Sequence, residues 1–170
     1  MGDFAQPAPA NVSWPRYSLT PFPKYRFVPG RGPHPRRDPQ GHSFGTPEPK
    51  PPKPDPAKWK ENDLYRHGID LYNYAFWWEC HEALEALWHA AGHETPTGQF
   101  LQGIIQVSAA NLKKFMGLEK TAREMSAAGL ARHAGLPDPY MGVNLAIFAR
   151  ETKDYHELRF NRPALIRLDL

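Results

Sequence analysis

A chain of 170 residues holds one ordinary domain and a tail rather than two full domains. Its single cysteine, Cys80, excludes an internal disulfide framework and fits a reducing compartment. The net charge of +3 conceals an asymmetry, since residues 1–60 carry ten Lys/Arg against four Asp/Glu and residues 61–170 carry eleven against fourteen. A basic arm on a mildly acidic body can lie across that body or reach an acidic partner. No run approaches the ~20 apolar residues that span a bilayer, and the proline-rich start lacks the apolar core of a secretory signal. The expectation is a cytoplasmic protein without membrane insertion.

Fifteen of the nineteen prolines fall in residues 1–56, which forbids regular helix there and interrupts any strand. Disordered linkers are poor in aromatics, yet Trp14, Tyr17, Phe22, Tyr25, Phe27 and Phe44 recur through this stretch. With turn signals at Pro29-Gly30 and Gln40-Gly41, the pattern predicts an extended arm that docks on the helical body or on a neighbouring subunit. Residues 47–57 have the composition of a stiff connector. The chain therefore divides into a basic arm and linker (1–57), a helical domain (58–160) and a C-terminal tail (161–170).

Helical periodicity begins near Trp59. A first helix over roughly 59–73 uses Tyr65, Ile69 and Tyr72, and a tight turn near Asn73–Phe76 leads into a second helix that Gly92 ends after Ala91. Thr95 and Pro96 form an N-cap and N1 pair for a third helix over roughly 96–116. A fourth, over roughly 118–133, is weakened by Gly129. Pro137 and Pro139 mark a loop before a last helix over roughly 143–158. No segment has the alternation of a sheet. The fold class is all-α, a compact array of about five helices with a proline-rich extended N-terminal arm.

The second helix carries the chemistry. At 100° per residue, His81, Leu84, Glu85 and Trp88 fall within about 100° of one another. His81 and Glu85 are i, i+4 neighbours, and Glu82 and Glu85 are i, i+3 neighbours. Ionisable groups beside an aromatic core stripe call for a partner. Gln102 and Gln106 make a complementary amide row on the third helix. Three readings follow. His81 and Glu85 hold a divalent metal ion, with Glu82 as catalytic base and His34 and His42 of the arm completing the ligands. Alternatively, the cluster is a metal-free acid–base or ligand site. In the third reading it is a buried network that fixes helix packing or holds the arm. Cys80 reads as a buried inert thiol, and His67, His89, His93, His133 and His156 as surface residues.

The run Tyr72-Asn73-x-x-Phe76-Trp77-x-Glu79-x-His81-Glu82-x-Leu84-Glu85-x-x-Trp88, followed by Phe100-Leu101-Gln102-Gly103-Ile104-Ile105-Gln106, resembles the small helical family called domain of unknown function 309. The similarity covers roughly residues 60–135. It implies a compact all-α array in which these two helices pack together, and it carries no reaction, cofactor or partner. Family members usually have a glycine after the first helix, where this chain has Asn73-Tyr74-Ala75.

The function most compatible with these residues is ligand or metal binding at the His81/Glu82/Glu85 face, roofed by Gln102, Gln106 and the arm. As an enzyme it would first be tested for metal-assisted hydrolysis, with Glu82 acting on a water. The competing class is an interaction or assembly protein, a homo-oligomer or partner complex formed through the arm. Nucleic-acid binding through Arg26, Arg31, Arg36 and Arg37 is a lesser alternative.

Overall fold

Local signals set the helix ends. In the computed structural model, which describes residues 5–170, five α-helices follow one another: α1 (Asp63–Asn73), α2 (Trp77–Ala91), α3 (Pro96–Phe115), α4 (Glu119–Ala131) and α5 (Leu145–His156). Residues 59–61, expected as the first turn of the helix, belong instead to a separate 3-10 segment, Pro56–Glu61. Asn62 divides the two, because its side chain accepts the Tyr65 amide and caps α1. Thr95 caps α3 in the same way through the Gly98 amide, with Pro96 at the first helical position. Among the described residues there is no strand, only the isolated bridges Val28–Arg31 and Tyr140–Val143. No helix among them is long and apolar enough to cross a membrane.

The turn between α1 and α2 closes as expected. The Phe76 amide bonds to the Leu71 carbonyl at 2.9 Å and the Ala75 amide to that of Tyr72 at 3.3 Å, the paired bonds of a Schellman ending. That ending places its residue after the cap in the left-handed region, and here Ala75 adopts φ 64°. The glycine that the family resemblance implies would adopt this conformation without steric cost.

Successive helices pack on one another around Tyr65, Ile69, Tyr72, Leu84, Leu87, Phe100, Leu101 and Ile104. Three glycines set the spacing. A Cβ at Gly68 would collide with the Leu84 side chain, so α1 and α2 approach closely. A Cβ at Gly103 would collide with the His133 ring and would stand 2.8 Å from the Gly129 carbonyl oxygen. Gly129, a weak residue for helix formation, is therefore what lets α4 lie close on α3.

The two irregular segments complete this core. Val28 from the arm and Ala164, Ile166 and Leu168 from the tail are buried as deeply as helical core residues. Asn73 reproduces a backbone pairing with the tail: its Oδ1 accepts the Ile166 amide at 2.8 Å and its Nδ2 donates to the Ile166 carbonyl at 2.8 Å. Tyr72 donates its hydroxyl to the Ala164 carbonyl. Where arm and tail meet, the Trp14 indole donates to the Ile166 carbonyl and the Leu168 amide donates to the Tyr17 hydroxyl.

Candidate functional site

The arm crosses α1 and α2 along a line of carboxylates. Asp70, with no exposed surface, accepts the Tyr17 and Ser18 amides at 2.9 and 3.0 Å and the Arg16 Nε at 2.9 Å. Asp63 accepts the hydroxyls of Ser18 and Thr20. Further along, Glu79 Oε1 accepts the Phe27 amide and lies 2.8 Å from His42 Nε2; the two side chains are only 5% and 4% exposed. Glu82 pairs with Arg36 at 2.7 Å, and Arg36 Nη1 also donates to the Thr46 carbonyl. Each carboxylate thus meets donors that the arm brings to it, the arrangement a desolvated charge requires.

A short loop holds the arm's own polar groups. Backbone bonds from Asp38 to His34, Gly41 to Asp38, Ser43 to Pro35 and Phe44 to Gly41 fold residues 34–44 into a knot. Tyr25 braces it by donating to the Pro33 carbonyl and accepting the His42 amide. Inside this knot the His42 Nδ1 lies 2.8 Å from Ser43 Oγ. His34 accepts the Arg36 and Arg37 amides on Nδ1, and its ring meets Phe27 and Trp78 edge-on.

The metal set expected from spacing is not brought together. His42 faces Glu79, a residue outside that set, and His34 is turned to its own loop. His81 and Glu85 are neighbours at 3.7 Å on a half-exposed face of α2. Among the described residues no three His, Cys, Asp or Glu side chains converge so as to hold a metal ion. The reason lies in the arm's path: Glu79, one residue in sequence from the motif's first aromatic pair, attracts the histidine that ligation would have required.

The amide roof is displaced as well. Gln106 Oε1 accepts Arg132 Nε at 2.9 Å, joined there by Gln99 Oε1, so these groups serve the contact between α3 and α4. Gln102 keeps a buried Oε1 without a partner. Trp88 stacks on His93 with centroids 3.8 Å apart, and His93 Nε2 lies 2.9 Å from His89 Nδ1. His133 and His156, expected on the surface, are buried. His133 lies 3.0 Å from the Phe100 carbonyl, and burial depresses its pKa. Burial, with Lys114 nearby, brings that of His156 down to about 4. Cys80 is inert, its thiol pushed up to about 12 by burial.

Two adjoining hollows lie between α2 and the arm. The inner one, about 170 Å³, is lined by His42, Ser43, Leu64, His67, Trp78 and Glu79 among others. The outer one, about 290 Å³, is bounded by Glu85 and His89 of α2 and by Glu48 and Lys50 of the connector. Arg36, Pro49 and Glu82 line both, so the Arg36–Glu82 pair is the partition between them. Glu79 Oε2 and His67 Nδ1 are buried without a hydrogen-bond partner. Burial lowers the His67 pKa, partly offset by Asp70, and keeps the ring neutral at pH 7.

Residues 65–125 match the domain of unknown function DUF309. That stretch of the chain is similar to this family. No curated protein matches the chain. The matched segment contains α1 from Tyr65 onward, α2, α3 and the first half of α4, and with them every carboxylate that grips the arm except Asp63. Sequence reasoning missed the functional weight of Asp70 and Glu79. Both had a signal: each is an acid enclosed by apolar residues, in Ile69-Asp70-Leu71 and Trp78-Glu79-Cys80.

Proposed function

We propose that the protein binds a small polar ligand in the inner hollow, with Glu79 as its anchor. The observation that carries this reading is Glu79, which lines the hollow and keeps one buried carboxylate oxygen, Oε2, without a hydrogen-bond donor. Such an oxygen loses its hydration without gaining a hydrogen bond, at a cost of about 1–3 kcal/mol or more for a charged group. A ligand bearing an ammonium, guanidinium or amide N–H supplies the missing donor. Neutral His67, Trp78 and Leu64 give the remainder of the wall an apolar character suited to a small organic body.

This reading keeps the expected face of α2 and the arm as roof, and moves the centre from His81 and Glu85 to Glu79. It is also favoured over partner capture by the arm, because the arm's anchoring groups are engaged with its own chain. Titration with methylguanidine and with ethylammonium, followed by NMR of the Trp78 indole, tests it. Binding should weaken at least tenfold in Glu79→Gln while the arm stays docked by tryptophan fluorescence. Absence of binding by either probe at tens of millimolar would sink the reading.

A further inference from the structure

The inner hollow holds a second feature that ligand binding alone does not use. Glu79 Oε1, His42 and Ser43 form a continuous hydrogen-bonded line, 2.8 Å from carboxylate to Nε2 and 2.8 Å from Nδ1 to Oγ. A carboxylate only accepts, so in the neutral ring Nε2 carries the proton and Nδ1 presents its lone pair to the Ser43 hydroxyl. Both inner members are nearly sealed from water, while Ser43 is partly exposed and lines the hollow. A nucleophile, a base within hydrogen-bond reach and a third group orienting that base are the geometric marks of an activated serine, whichever ring nitrogen faces it.

From this line we infer that Ser43 is a nucleophile that takes an acyl group from a small ester in the inner hollow, with His42 as general base and Glu79 positioning it. The inference rests on the ligand-binding reading of the same hollow and names its substrate class: a small activated ester, carrying a donor group that meets Glu79 Oε2.

The step balances with water as co-reactant. Ser43 Oγ bonds to the ester carbonyl carbon as its proton passes to His42 Nδ1 and the carbonyl π pair moves onto oxygen. Collapse of that oxyanion breaks the bond to the alcohol, which leaves with the proton from Nδ1. Water then attacks the acyl-serine, giving a proton to Nδ1, and Oγ departs by taking that proton. The net change is ester plus water to acid plus alcohol. Glu79 Oε1 accepts the Nε2–H hydrogen bond throughout, which stabilises the imidazolium between steps. The knot of backbone bonds over residues 34–44 holds His42 and Ser43 in place before a substrate arrives.

The test uses the full chain and a fluorophosphonate ester, with the attachment site read by peptide mass spectrometry. Ser43 should be the labelled residue, and Ser43→Ala, a change at a partly exposed position, should abolish labelling while leaving near-ultraviolet circular dichroism intact. His42→Gln should slow labelling by about 100-fold or more, the usual contribution of a general base. Glu79→Gln should lower the maximal labelling rate about tenfold or more without changing the probe concentration for half-maximal rate, a split that loss of folding does not produce. Labelling of Ser43 no faster than that of other exposed serines, in folded protein, overturns the inference. If ammonium and guanidinium probes still bind at Glu79 in that case, the ligand-binding reading survives and only the acyl transfer falls. Labelled Ser43 without such binding has the opposite meaning.

Discussion

The N-terminal arm and the C-terminal tail both lay irregular backbone on α1, but different chemistry grips them. The arm meets charged acceptors: Asp70 takes two amides and a guanidinium, and Glu79 takes an amide and a histidine. The tail meets neutral groups, Asn73 with both polar atoms on Ile166 and Tyr72 on the Ala164 carbonyl. Behind Tyr72 the neutral line continues to Asn111 and ends on His156. A buried carboxylate that loses its donors, or donors that lose their carboxylate, leave a desolvated charge or unpaired amides. The arm's grip is therefore strong but mutually dependent, whereas the tail's grip is weaker per residue and indifferent to salt.

Removing the charged acceptor should have the largest effect. Asp70→Ala leaves the Tyr17 and Ser18 amides unpaired in a dry site and frees Arg16, and should lower stability by about 3 kcal/mol or more in urea denaturation. Asp70→Asn, which keeps one acceptor oxygen, should lose less. Equal losses for the two would mean that charge is not what grips the arm.

Acid should act on the tail's side. His156 is neutral in the fold because burial, aided by Lys114, depresses its pKa to about 4, whereas an unfolded histidine titrates near ~6.5. Its folded value lies below the unfolded one, so the unfolded chain binds the proton first. Stability is fully present above about pH 6.5 and is lost as pH falls toward 4, by at most on the order of 3 kcal/mol. His133 and His67 are shifted in the same direction by burial, so His156→Gln should flatten the decline in part. A stability profile between pH 7 and 4 that His156→Gln leaves unchanged would place the acid sensitivity elsewhere. Asn73→Ala should cost about 1–2 kcal/mol, because the Ile166 amide loses its acceptor while the Ile166 carbonyl keeps the Trp14 indole, and the loss should be the same at low and high salt.

Helix ends were legible where they are written locally, in Gly92 and Thr95-Pro96, whereas the Asn62 cap was missed and the first helix was begun near Trp59 instead of at Asp63. The motif was legible as a face of α2 that groups polar side chains, but not in which of the arm's residues meet it. Spacing along α2 identifies which groups share a face; it contains no information on which residue of a 57-residue arm will arrive there. His42 reaches Glu79, 37 positions away, only because the knot at 34–44 and the Val28 anchor determine the arm's path. The buried histidines escaped for a related reason. His133 lies over Gly103 and His156 beside Asn111, contacts between helices that a one-helix pattern cannot contain.

The smallest expected effects belong to the residues that first drew attention. Arg36 and Glu82 are each about a quarter exposed, so their pair is partly screened by water, and Arg36→Ala should lower stability by about 0.5–1 kcal/mol. Glu85 is more exposed and lies 3.7 Å from His81 and 3.9 Å from His89, so Glu85→Gln should cost less than about 0.5 kcal/mol. Hydrogen exchange gives a sharper contrast than global stability: amides around Thr46 should exchange faster in Arg36→Ala, since Thr46 loses its guanidinium contact, and should be unchanged in Glu85→Gln. Loss of Arg36 also removes the partition between the two hollows. Association of methylguanidine with Glu79 should then be faster, because the inner hollow gains a second entrance. If Glu85→Gln proved the more damaging change, the exposed face of α2 would carry a load that the contacts of Glu79 and Glu82 do not explain, and the centre of the site would return to His81 and Glu85.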